Sequence, residues 1–369
     1  MRSGLFFFIM LVFSSCDQSQ SKKVFVSSIP PSSKVKNIIL LIGDGMGLTQ
    51  ISAGMYSQGN KTALERFPIV GLHKSHASNK LVTDSAAGAT AFACGIKTYN
   101  GAIGVDQDTM AVETILEKAS KQGKKTGLVA SSTIVHATPA SFFSHNKSRK
   151  NYYEIADDLA KSSVDFFIGG GKQYFTQRDE NRKDLYVELR AKGFNVSDFF
   201  EQELGLYKPD VTKKYGFLTS NKDPLPVSQG RDYLPLASKM AIDYLVASEE
   251  SGFFLMIEGS QIDWGGHAND AEYVVSEFIE FDKIIGSVLD FAEKDGETLV
   301  IVTADHETGG LAIQPESTMD SLQFAFTSTY HTGTMIPVFA YGPEASRFAG
   351  IYENTKIYTK MMKALNLSE

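Results

Sequence analysis

Nearly continuous apolar runs recur along this chain, with helical patterns between them, and this alternation constrains the fold more than any other feature. The runs are Asn37–Ile42, Thr126–Ala130, Val164–Ile168, Phe253–Ile257, Thr298–Val302 and Pro337–Tyr341. A strand covered on both faces reads this way, and parallel strands are usually covered on both faces. The helical patterns are Thr109–Gln122, Asn151–Ser162, Pro235–Ser248 and Ala271–Lys294. Strands alternating with helices predict an α/β fold, a three-layer α/β/α sandwich around a large, mostly parallel central sheet. We read 36–369 as one domain with a loop-rich insertion around 172–232, where polar and aromatic residues show no clear period. No internal repeat is present.

The N-terminus reads as an export signal over 1–16. Arg2 supplies the charge, Leu5 to Phe13 the apolar stretch and Ser14-Ser15-Cys16 the small residues. It resembles a bacterial lipoprotein signal, in which Cys16 becomes a lipid anchor. Phe13 departs from the usual Leu, and ordinary cleavage near Ser19 is the alternative. Residues 17–35, rich in Ser, Lys and Pro, read as a tether. The expectation is an exported protein, periplasmic or membrane-anchored through Cys16 in a Gram-negative bacterium. The apolar run is too short to span a bilayer as a helix. The only other cysteine is Cys94, so no disulfide framework is expected. A net charge of −7 argues against nucleic acid as a specific partner.

In parallel sheets, sites form beyond the carboxyl ends of the strands. The polar clusters fall at that edge. Asp44 lies in Gly43-Asp44-Gly45 after the first run, and His136 and Thr138 follow the second. Glu258 follows the fourth run and Asp305-His306 the fifth. Asp263 and His267 are four apart, so one helical turn would point both the same way. His331 precedes the last run. Asp305 and His306 are adjacent and need a kinked loop to meet one ion. Gly169-Gly170-Gly171-Lys172 lacks the spacing of a phosphate loop and reads as a turn.

The block Val82 to Ala91 sets a hydroxyl, Ser85, beside a carboxylate, Asp84, before a run of side chains no larger than Thr. A turn into a helix would aim N–H groups at an anion there. The bland alternative is a small-residue helix start capped by Asp84 or Ser85. Ligand counting favours chemistry. Asp44, Asp305 and His306 make one zinc site with Ser85, and Asp263, His267 and His331 make another. Three protein ligands with an open position is the catalytic zinc arrangement. Remaining oxygens on Asp44, Thr138 and Glu258 suit magnesium. Arg149 can fork onto a phosphate.

Together these motifs resemble the bacterial alkaline phosphatases, in particular the short cold-active type, from about Asn37 to Pro343. The resemblance implies hydrolysis of small phosphate monoesters to an alcohol and inorganic phosphate. It implies two zinc ions and one magnesium ion per subunit, and a homodimer. Ser85 would form a phosphoserine, and Arg149, oriented by Asp84, would hold the phosphoryl oxygens. The best-known enterobacterial member has Asp where this chain has His136 and Lys where it has Trp264. His136, shared with animal members, is a candidate ligand beside the magnesium, and Trp264 is a substrate-pocket residue. A phosphodiesterase of the same superfamily would lack the Arg and the third metal site. A sulfatase would need a Cys or Ser followed by x-Pro-x-Arg, which Ala86-Ala87-Gly88-Ala89 does not provide. A non-catalytic, metal-binding surface lipoprotein is the third alternative.

Overall fold

The computed structural model describes Met1 and residues 34–176, 183–248 and 251–367. Residues 2–16 of the export signal, Cys16 among them, and all but the last two residues of the tether lie outside the described residues. The strands are β1 (Asn37–Gly43), β2 (Ile69–Lys74), β3 (Lys125–Thr133), β4 (Phe166–Gly170), β5 (Phe194–Asp198), β6 (Lys214–Leu218), β7 (Phe253–Gly259) and β8 (Thr298–Thr303), then the two-residue β9 (Glu307–Thr308), β10 (Ala312–Ile313), β11 (Phe324–Ala325) and β12 (His331–Thr332), and finally β13 (Ile336–Tyr341) and β14 (Gly350–Glu353).

Ten of these form one sheet in the order β14-β2-β13-β8-β1-β7-β3-β4-β6-β5. Strand β13 is antiparallel to both neighbours. Every other pairing is parallel. All seven residues of β1 are buried. Successive side chains on a strand point to opposite faces. Ile38, Leu40 and Ile42 accordingly enter one core with Ile115, Ala156 and Met361. Ile39 and Leu41 enter the other with Leu245, Phe278 and Ile285. The helices Ser85–Cys94, Ile115–Lys121, Tyr152–Lys161 and Thr355–Ala364 cover the first face; Leu48–Ser57, Tyr233–Ser248 and Ala271–Asp295 cover the second. Each fully buried Ile or Leu contributes about 1.5–3 kcal/mol relative to exposure. The central strand thereby ties both helical layers together.

Several boundaries differ from the sequence reading. The helix expected over Thr109–Gln122 begins at Ile115, because Thr114 and Glu117 form a reciprocal capping box that sets its start. The segment 172–232 is not only loop. It adds a helix, Leu185–Ala191, and the parallel strands β5 and β6, which extend the sheet. Five-residue strands joined by long polar connections carry too little period to be read. Gly169 and Gly170 end β4, and Lys172 pairs with Asp198 at 2.7 Å, so the glycine run is a strand end and turn. Among the described residues no helix is long and apolar enough to cross a membrane. Strands β8, β1, β7 and β3 are neighbours at the sheet centre. Their carboxyl ends bring Asp305, Asp44, Glu258 and the turn after Thr133, which carries His136 and Thr138, side by side.

Candidate active site

Ser85 is the first residue of the Ser85–Cys94 helix, all ten residues of which are buried. The small side chains have a packing reason. A Cβ on Gly88 would stand 3.0 Å from the Asp305 Cβ, so the helix lies directly against the loop that carries Asp305. Asp84 precedes the helix and has two tasks. Its Oδ1 accepts from the Ala87 N–H at 3.0 Å, and its Oδ2 accepts from Arg149 Nη1 at 3.1 Å. The sequence reading set orientation of the arginine against capping, and Asp84 does both.

Ser85 Oγ lies 3.3 Å from His306 Nε2. That nitrogen is 3.1 Å from Asp305 Oδ2 and 3.5 Å from Asp44 Oδ1. The kink needed to bring Asp305 and His306 together is present: Asp305 Oδ1 accepts from the His306 N–H at 3.0 Å and the Gly45 N–H at 3.3 Å. Gly45 has φ +73, and a Cβ there would meet the Asp263 Cα at 2.7 Å. Only glycine satisfies both conditions.

The second group gathers on the Gln261–His267 helix and β12. Asp263 Oδ1 is 3.4 Å from His267 Nε2 and 3.5 Å from His331 Nε2, and the two imidazole nitrogens face each other at 3.1 Å. Their other nitrogens meet backbone carbonyls, His267 Nδ1 at Thr329 O (2.7 Å) and His331 Nδ1 at Thr83 O (2.8 Å). That contact sets the tautomer and leaves both Nε2 lone pairs pointing inward, the arrangement of imidazoles that hold a metal. Asp263 also lies within 4.8 Å, ligand atom to ligand atom, of Asp44 and His306, so the two groups adjoin.

A third group joins Asp44, His136 and Glu258. His136 Nε2 accepts from Arg149 Nη2 at 3.2 Å, and its ring meets Trp264 edge-on at 6.0 Å. The two positions that depart from the enterobacterial pattern therefore touch each other.

The buried charge requires compensation. Both carboxylate oxygens of Asp44, Glu258 Oε1, Thr138 Oγ1 and His136 Nδ1 are buried without a hydrogen-bond partner. Unpaired buried polar atoms are costly and native structures contain few of them. Burial, then repulsion from Asp305, Asp263 and Glu258, holds the Asp44 carboxyl well above its ordinary range. Burial drives Glu258 up to about 8 against hydrogen bonds from neighbouring hydroxyls. Burial, with the Arg149 charge, lowers His136 to about 3. Burial, with His306 beside it, lowers His331 to about 4. Burial opposes ionisation of the Asp305–His306 pair, but their mutual attraction outweighs it, lowering Asp305 and raising His306. Divalent cations fit these clustered carboxylates and would satisfy the orphaned oxygens of Asp44, Glu258 and Thr138; His136, whose Nε2 lone pair takes the Arg149 N–H, has no second lone pair to offer.

Thr308 is a site residue that sequence reading missed. Its hydroxyl donates to Asp263 Oδ1 and sits 3.3 Å from His306 Nδ1, touching both adjoining groups. Its place beside Asp305-His306 was the only available signal.

The site sits on the carboxyl edge of a mostly parallel sheet, with a buried serine hydroxyl, an arginine and three ion-fitting groups converging there. That combination defines a metal-dependent hydrolase. The model of the alkaline phosphatase family matches residues 35–327 and 320–367, and the chain belongs to that family. It is 36% identical to alkaline phosphatase 3 of Bacillus subtilis, over 90% of this chain and 89% of that one. It is 32% identical to the alkaline phosphatase of Escherichia coli, over 95% and 89% respectively. Among solved structures, the alkaline phosphatase of the Antarctic bacterium TAB5 shares 45% identity with a TM-score of 0.86, covering 91% of this chain and 99% of that one. The protein is a phosphatase that hydrolyses phosphate monoesters and depends on metal ions.

Proposed function

We propose that hydrolysis runs through a phosphoserine on Ser85. One observation carries this reading: Ser85 Oγ, at the start of a buried helix, faces His306 Nε2 at 3.3 Å, and Asp84 beside it holds Arg149. We assign two zinc ions and one magnesium ion per subunit. Asp44, Asp305 and His306 would hold one zinc beside Ser85, and Asp263, His267 and His331 the other. Asp44, Thr138 and Glu258 would hold magnesium, with His136 beside them, its Nε2 lone pair taken by Arg149 rather than by the ion. When bound, such ions neutralise charge on the attacking and leaving oxygens and lower the pKa of the groups they touch.

The chain's own residues then have defined tasks. The Ser85 oxygen attacks phosphorus and the alcohol oxygen departs in line; water later cleaves the Ser85–phosphate ester and inorganic phosphate leaves. The transition state is loose, so positioning and charge matter more than proton transfer. Arg149 grips two phosphoryl oxygens, its fork held by Asp84 and by the His136 lone pair. Trp264 lines the side of the pocket where His136 stands. Two variants of the TAB5 enzyme, with one histidine replaced by Glu or Asp, are described with magnesium in its M3 site, which supports magnesium as one of the ions. We further propose a homodimer, exported by residues 1–16, retained in the periplasm or anchored at Cys16, and built as one domain over 36–369.

The test is acid quenching of enzyme with phosphate, followed by peptide mass spectrometry. A phosphoryl group on the Ser85 peptide is expected, and both it and turnover of a chromogenic monoester should vanish in Ser85→Ala. A variant that retains turnover would overturn the assignment. Turnover of a diester or a sulfate ester in preference to the monoester would do the same.

A further inference from the structure

Glu307 is buried, at 4% exposure, and the mechanism above does not use it. Its carboxylate takes neutral donors on both oxygens. Gln50 Nε2 (2.5 Å) and the Leu311 N–H (3.3 Å) meet Oε1; Thr332 Oγ1 and the Gly310 N–H (3.3 Å) meet Oε2. The fully buried Gln50 amide also donates to Thr308 O at 2.7 Å. Burying a carboxylate is costly, and packing alone would be met by an apolar side chain. Four convergent donors mark a group that holds several segments in one place.

Those segments carry the ion-facing imidazoles. Strand β9 pairs with β12, Thr308 opposite His331 and Glu307 opposite Thr332. A two-residue ribbon is marginal by itself. Glu307 closes it from the side: one oxygen binds Thr332, the residue after His331, and the other binds Gln50 of the Leu48–Ser57 helix. We infer that Glu307, with Gln50 and Thr332, is the positioning clasp that sets His331 against His267 and Asp263. This rests on the proposed reading of those three residues as an ion site. His306 is held by its own contacts, with Asp305 and Thr308, and depends less on Thr332.

The experiment titrates the zinc- and magnesium-loaded enzyme with a chelator and counts the metal retained. The step belonging to the His331 site is identified by its absence in His267→Ala. Thr332→Val should release that ion at about ten-fold lower chelator concentration or less, the size expected for loss of a group that orients a ligand. Glu307→Gln, which places an amide N–H₂ against donors, should release it still more readily. Thr332→Ser should behave as wild type, and the step of the Asp44–Asp305–His306 site should stay within about two-fold in the two Thr332 variants. Equal weakening of all steps, or no change in Thr332→Val, would overturn the clasp. A wild type with no ion at His267 and His331 would overturn the site reading and the clasp with it; a wild type that holds one, with unchanged variants, would overturn the clasp alone.

Discussion

Asp84 joins two tasks that one substitution can separate. Asp84→Asn keeps a side-chain oxygen for the Ala87 N–H, and Asn caps helices about as well as Asp. It removes the charge facing Arg149. The pair is 3.1 Å apart, with side chains 22% (Arg149) and 9% (Asp84) exposed. At an effective dielectric of about 20, the Coulomb attraction at that distance is about 5 kcal/mol before desolvation is subtracted. The net worth of a hydrogen bond to a charged group is about 1.5–3 kcal/mol. If half or more of that serves to aim the guanidinium at the transition state, kcat/KM falls about 3- to 150-fold, since about 1.4 kcal/mol is ten-fold. Asp84→Ala should lose the same activity and also the cap, about 1 kcal/mol of stability. The assay compares kcat/KM for a chromogenic monoester, the phosphate inhibition constant and the thermal midpoint. The expected pattern is Asn with native-like melting and weak activity, and Ala melting a few degrees lower with similarly weak activity. An Asn variant within about two-fold of wild-type kcat/KM, beside an inactive Ala variant, would show that only the cap matters and refute orientation of Arg149 by charge.

Removing the ions with a chelator should make stability strongly pH-dependent. Glu258, raised from 4.5 to about 8, disfavours the folded state increasingly as pH climbs through that interval. His136 and His331, lowered from 6.5 to about 3 and 4, disfavour it as pH falls below 6.5. Thermal midpoints of the stripped protein should therefore peak near about pH 6 and drop on both sides, and restoring zinc and magnesium should flatten the alkaline limb; a flat profile without metal contradicts the charge burial described. Gly45→Ala combines a left-handed backbone with a 2.7 Å encounter at Asp263. It should separate Asp44 from Asp263 and lower retained metal, measured by elemental analysis after dialysis, and full retention would count against the close approach. Trp264→Lys adds a cation beside His136 and Arg149, so phosphate should inhibit more tightly; an unchanged inhibition constant counts against Trp264 as a substrate-pocket residue.

The amino-acid sequence by itself determined the elements whose cause is local. Asn37–Ile42 is apolar on both faces, and a strand so composed is stable only between two layers. Asp263 and His267 converge because one helical turn separates them. The edge of the sheet that carries the polar residues was legible for the same reason, since each follows an apolar run directly. Tertiary structure decided the rest. Strands β5 and β6 are five residues long and become strands by adding to an edge that β4 already presents. Asp305 and His306 are adjacent and would diverge in extended backbone; Gly45 N–H and the packing of Gly88 hold the kink that turns both inward. His331 reaches His267 only through a two-residue ribbon, across a gap of 64 positions. The Arg149 fork is shared by Asp84 and His136, and neither partner can be inferred from sequence spacing. Short-range chemistry can be read from composition and period, whereas convergence of distant lone pairs depends on which buried atoms find partners when the chain closes.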